Sequence, residues 1–345
     1  MDRSKINTFF GLLLILICYL LTSCQKAFSD ISESAVSNIE SVPLAPGTYG
    51  SPVWLEESLV ALSYLPPEKQ EVWDYRIVIY NIESKEKLEL PLPPYPETCS
   101  TIAPAHIGNL KRLPNDNLGF ILGCELKQSG VQKALYTWIR ETNSFDMLFE
   151  FEPYFGAGIF AFSHDMKILI QAQGVDSVEG LYRISSGGSS SPLTPDFIRA
   201  NYPDWSPDGQ SIAFMGTEEY PGKDPSDFES YEDFRELLFY PWDIYLTNPN
   251  GSNITRVLHG IEEPGQLQWV PHRNDLLSFS GHYKGESGIW LLDLNVGEVI
   301  RIWPYRTGFS WLPDGQKIIF FEENTTEHPR LVIAKLEFML AHKNG

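Results

Sequence analysis

Seven histidines, at positions 106, 164, 259, 272, 282, 328 and 342, and four cysteines are the side chains of this sequence best suited to metal or nucleophile chemistry. Such chemistry needs spacing as well as residue type. The His-Glu-x-x-His pattern, which puts two imidazoles on one helical face around a zinc ion, is absent. His259, His272 and His282 are the grouping that a single structural unit could bring together, but their spacing matches no metal-ligand pattern. Gly285-Glu286-Ser287-Gly288 begins like a nucleophile elbow, yet Ile289 stands where the second required glycine belongs. The 45 Asp and Glu residues include no Asp-x-Asp-x-Asp-Gly calcium loop. No catalytic residue, metal or other cofactor is therefore assigned.

The elements that would position any site are written as a repeat. Trp205-Ser206-Pro207-Asp208-Gly209 and Trp311-Leu312-Pro313-Asp314-Gly315 are its clearest copies, and Trp269-Val270-Pro271-His272-Arg273 is a worn one. Each precedes an apolar strand at the same offset: Ile212-Ala213-Phe214, Ile318-Ile319-Phe320 and Leu276-Leu277-Ser278-Phe279. Weaker copies stand at Trp54, Arg112 and Phe162. A second series of alternating strands follows the anchors, as in Ile77–Tyr80, Ile244-Tyr245 and Ile289-Trp290, and it too has six members. Period-2 apolar runs split by Gly, Asn and Asp read as antiparallel hairpins. Units of about 40–45 residues with four strands are the signature of propeller blades. A blade has two apolar faces, and a closed ring lets neighbours cover both. The expected fold is all-β, a six-bladed β-propeller of four-stranded antiparallel blades. The Trp should fill the gap between sheets, and Pro-Asp-Gly should set a tight turn.

Tyr202-Pro203-Asp204-Trp205-Ser206-Pro207-Asp208-Gly209, with Asp243-Ile244-Tyr245-Leu246 and Asn250-Gly251-Ser252, resembles the repeat of TolB-type propellers. The same repeat occurs in prolyl-oligopeptidase-like proteins and oligogalacturonate lyases. The resemblance covers roughly residues 45–340 and speaks to fold far more than to function. It implies two kinds of role: a non-enzymatic protein- or peptide-binding module of the cell envelope, or a carbohydrate-active enzyme using a channel metal or carboxylates. Neither the α/β-hydrolase domain of the peptidases nor an N-terminal α/β domain of the TolB kind is recognisable.

Arg3 and Lys5 precede the apolar run Phe9–Leu21, which is short for a membrane span. The run ends in Leu21-Thr22-Ser23-Cys24, which resembles a bacterial lipobox. That resemblance implies a signal peptide over 1–23, lipid on Cys24, and an extracytoplasmic protein held at a bacterial membrane. Gln25 after the cysteine favours an outer membrane where one exists. Residues 24–42 read as a flexible tether, and 43–345 as the propeller. Cys99 and Cys124 remain, at the open end of one hairpin. In an oxidising compartment a disulfide between them is expected, with two separate thiols as the alternative.

The formal charge is −19, and removing Arg3, Lys5 and Asp2 makes it one unit more negative. This composition argues against nucleic acid and against electrostatic binding to anionic lipid. A monomer is expected. The sequons at Asn253 and Asn324 are read as chance matches.

One unit breaks the pattern. The fourth takes 39 residues from anchor to third strand (205 to 244), against 20 in each of the next two. The acidic insert lies within 217–241. A helix over 227–238 would put Phe228, Tyr231, Phe234 or Arg235, and Leu238 on one face. Long inserts on rigid scaffolds often carry recognition, so Phe228, Tyr231, Phe234 and Arg235 are the candidate binding insert. The loop 94–107 is the second candidate.

Overall fold

The computed structural model describes residues 36–68, 75–93, 99–126, 131–151, 159–175, 178–186, 188–219, 240–322 and 328–336, without side chains for 99–108, 124–132 and 173–179. Every regular element among them is a strand.

The strands follow one another as blades. β1 (Val36–Pro43) comes first and joins the last blade. β2 (Thr48–Tyr49), β3 (Val53–Glu56), β4 (Leu59–Leu65), β5 (Arg76–Asn81) and β6 (Lys87–Glu89) form blade 1. Blade 2 is β7 (Cys99–Arg112), β8 (Leu118–Leu126), β9 (Val131–Ile139) and β10 (Ser144–Glu150). Blade 3 is β11 (Phe160–Phe162), β12 (Ile168–Val175), β13 (Val178–Ser185) and β14 (Ser190–Pro192). Blades 4 and 5 run together as one seven-stranded path: β15 (Arg199–Trp205), β16 (Ile212–Thr217), β17 (Trp242–Thr247), β18 (Thr255–Trp269), β19 (Leu276–Tyr283), β20 (Glu286–Asp293) and β21 (Glu298–Trp303). The long β18 is the outer strand of blade 4 and, beyond the register break between Glu262 and Gln266, the inner strand of blade 5. Blade 6 is β22 (Phe309–Trp311), β23 (Lys317–Phe321) and β24 (Arg330–Leu336), with β1 as its outer strand.

Two boundaries differ from the sequence reading. Residues 36–42, expected in the tether, belong to β1, which pairs antiparallel with β24 from Val36↔Leu336 to Pro43↔Arg330. β1 thereby supplies the fourth strand of the sheet that β22, β23 and β24 form. The run from Cys99, expected as the end of a loop, is already β7, whose repeated register shifts hide it from a period-2 reading.

The core is divided among the gaps between blades. Six buried clusters occupy the 1–2, 2–3, 3–4, 4–5, 5–6 and 6–1 interfaces. One strand feeds two of them: in β23, Ile318 and Phe320 face blade 5 while Ile319 and Phe321 face blade 1. This is the period-2 geometry of a strand buried on both sides, and it explains why these strands read as unbroken apolar runs. A cluster between blades 6 and 1 closes the ring.

The repeated phrase does what its residues dictate. In blade 4, Gly209 N–H donates to Ser206 O, and Ser206 Oγ donates to Asp208 Oδ1 at 2.7 Å while accepting from Ser211 N–H. Blade 3 repeats this network with Ser163, Asp165, Met166 and Ile168. The Ser163 hydroxyl, then the Lys167 amide, hold the Asp165 carboxyl down at about 2. Each turn needs a left-handed residue, supplied by Gly209 (φ 70°), Gly315 (φ 71°), Asp116 (φ 64°) and Met166 (φ 59°). The anchor tryptophans reach back to the preceding blade: Trp205 Nε1 donates to Ala161 O (3.3 Å), Trp269 Nε1 to Asp204 O (3.2 Å) and Trp311 Nε1 to Ser278 Oγ (2.7 Å).

Candidate functional site

The inner strands of all six blades converge on a central channel of about 450 Å³. That size suits a small ligand or a peptide end. Its walls are set by the residue just before each anchor, which includes Lys111, Asp204, Gln268 and Ser310. Some of these tie the blades together. Ser310 Oγ accepts from Trp54 N–H (3.0 Å), and Asp204 Oδ2 accepts from Trp269 N–H (2.9 Å). Gln266 forms a closed pair with the Phe309 backbone, donating to its carbonyl (2.9 Å) and accepting from its amide (3.0 Å).

One interaction skips a blade. Lys111 Nζ of blade 2 donates to Asp204 Oδ1 of blade 4 at 2.6 Å. Blade 3 lies between them and contributes Ile159 and Phe160 to the channel lining. Both partners follow a β-bulge. The register of β7 shifts between Gly108 and Lys111, and that of β15 between Asn201 and Asp204. Within those shifts Asn109 (φ 52°) and Tyr202 (φ 56°) are left-handed without being glycine. Bulges re-aim side chains, and strained backbone of this kind concentrates at functional sites. Neither Lys111 nor Asp204 stood out in the sequence as a site residue. The one available signal was Asp204 inside the quoted repeat, where turn chemistry had no use for it.

At blade 4 the insert leaves β16 and returns at β17. Its flanks are clamped by Arg199, a buried side chain: Nε donates to Thr217 Oγ1 (2.9 Å), Nη2 donates to Tyr240 O, and the guanidinium lies 4.0 Å from the Trp242 ring centroid. Burial pushes Arg199 down to about 10. Nearby, Asp243 accepts from His259 Nδ1 (2.7 Å), Gly260 N–H (3.0 Å) and Arg256 Nη1 (3.1 Å).

The expected site residues fare unevenly. Cys24 and the insert positions Phe228, Tyr231, Phe234 and Arg235 lie outside the described residues. Cys99 and Cys124 fall on neighbouring strands, Cys99 opposite Leu126, but their side chains are also outside the described set. The three grouped histidines are spread out. His259 sits on Asp243, His272 is in the turn before β19, and His282 is at the far end of β19, 3.6 Å from Glu263. Among the described residues no three His, Cys, Asp or Glu side chains are placed to share a metal ion. Ser287 sits in β20, just past the Lys284-Gly285 hairpin turn, whose φ angles of 53° and 81° are the two-residue type that strand twist favours.

No protein-family model matches the sequence, and no curated protein matches it either. Solved structures match the fold. TolB from Acinetobacter baumannii has a TM-score of 0.56 at 12% identity over 80% of this chain, which spans 63% of that protein. A TolB-like protein from Agrobacterium tumefaciens gives 0.52 at 15% identity, covering 88% of this chain and 99% of that one. A gluconolactonase from Xanthomonas campestris gives 0.53 at 11% identity, covering 90% and 93%. Identities this low carry the fold alone. The chain is a six-bladed β-propeller, and its structural neighbours are TolB-like and other propeller proteins.

Proposed function

We propose that this chain is a non-enzymatic binding module of the cell envelope, held to a bacterial membrane by lipid on Cys24. It takes a protein or peptide partner at the channel and the adjoining blade-4 insert. The observation that supports this reading most is the channel itself, a cavity of about 450 Å³ walled by all six inner strands and crossed by a Lys111–Asp204 pair. A rigid ring that presents polar side chains around an open cavity is suited to recognition. Arg199 supports the part given to the insert, because it fixes Thr217 and Tyr240, where the insert leaves and returns.

The test is affinity capture from envelope extract. The wild-type chain is compared with one in which residues 220–239 are replaced by a short Gly-Ser turn, leaving Thr217 and Tyr240 in place. The expected result is a saturable partner for the wild type and at least a tenfold weaker one for the variant. Equal capture by both would remove the insert from the interface. Turnover of a polysaccharide or lactone by the purified chain would replace the binding reading with the enzymatic one.

A further inference from the structure

The charges lining the channel run against the charge of the chain. The protein carries −19, yet the charged side chains lining the channel are Lys111, Arg112 and Asp204, a net of +1. The lining carries both signs with one cation in excess, which favours an anionic ligand over a cationic one.

The hydrogen bonds point the same way. Asp204 is committed through both oxygens, to Lys111 and to the Trp269 amide, which cannot move away. Lys111 has three N–H donors and uses one on Asp204. Arg112 bonds Asp116 through Nη2, while its Nε is buried with no hydrogen-bond partner. A buried unpaired N–H of a charged group costs free energy until an acceptor arrives. Gln268 and Ser63 also line the channel with polar side chains. The unused capacity is therefore mainly donor capacity on cations.

We propose that the channel is a carboxylate-binding site, in which Lys111 and Arg112 receive the C-terminal or side-chain carboxylate of a bound peptide while Asp204 holds Lys111 in place. This inference rests on the peptide-binding reading above and names the group that the channel recognises.

The test uses the full-length chain labelled with ¹⁵N at lysine Nζ, with the Lys111 resonance assigned by its loss in Lys111→Arg. N-acetylglycinate, N-acetylglycinamide and inorganic phosphate are titrated separately at constant ionic strength. The expected result is a saturable millimolar shift of Lys111 with N-acetylglycinate and none with the amide. By thermal shift, Lys111→Gln should weaken N-acetylglycinate binding about tenfold or more, the loss expected for a hydrogen bond to a charged group. Lys111→Arg should retain it. No saturable shift with N-acetylglycinate, equal shifts with acid and amide, or a response to phosphate alone would each overturn the proposal. Partner capture that survives alongside such a negative would leave the binding-module reading intact and remove only its carboxylate site.

Discussion

At the scale of single residues, the turn phrase was the most legible part of the chain because its chemistry is local. Pro sets φ, Asp or Asn caps the following amides, and a left-handed residue closes the turn. What the phrase hid was where each turn packs. A Cβ on Gly209 would meet the ring of His164 at 3.3 Å, an exposed side chain that can swing away. A Cβ on Gly315 would lie 2.6 Å from the Pro271 carbonyl, a backbone atom of the neighbouring turn. Both glycines have φ near 70°, so both alanine variants meet the same conformational cost of roughly 1 kcal/mol. Gly315→Ala must also separate two blades. We expect Gly209→Ala to lose about 1 kcal/mol and Gly315→Ala about 2–3 kcal/mol in urea denaturation. Equal losses would show that the approach of Gly315 to Pro271 carries no weight.

At the scale of elements, the strands were legible because each is buried on both faces. Ile318 to Phe321 alternates between two core clusters, and such a run is apolar throughout. The anchor tryptophans were legible as gap fillers. Their hydrogen-bond partners were not, since Ser278 and Asp204 belong to another blade, and no local pattern encodes which blade stands beside which. The Lys111–Asp204 pair was illegible for the same reason: 93 residues separate its members, and each follows a bulge that breaks the alternation. The anchors predict a graded series. Trp269→Ala should lose about 3–5 kcal/mol, the cost of emptying a large buried site. Trp311→Phe keeps most of the volume and removes the donor to Ser278 Oγ, so about 1–2 kcal/mol is expected. Chemical denaturation of both variants measures the order. A Phe variant as damaging as the Ala variant would mean that the indole N–H, rather than its bulk, holds neighbouring blades.

At the scale of the whole molecule, the decisive contact joins the two ends of the chain. Blade 6 takes β22, β23 and β24 from one end and β1 from the other, so the ring closes through hydrogen bonds between β1 and β24. The sequence could not show this. Residues 36–42 read as Ser- and Glu-bearing tether, and their partner strand lies nearly 300 residues away. Val42, 1% exposed in the cluster between blades 6 and 1, is the anchor on the inward side. Deleting residues 36–43 and joining the preceding segment to Leu44 would leave β24 as an edge strand with a full row of unpaired backbone groups. Because each blade is supported only by its neighbours, the loss should spread through the 6–1 interface instead of staying in one strand. We expect the deleted chain to melt well below the wild type and to self-associate through β24, seen by circular dichroism and size-exclusion chromatography. A synthetic peptide of residues 36–43, added in excess, should bind the open edge and restore both melting temperature and monomer, since a missing strand can be donated from outside. If the deleted chain stays monomeric with unchanged melting, β1 decorates a ring that is already closed. If it unfolds and the peptide rescues it, β1 is the strand that closes the propeller.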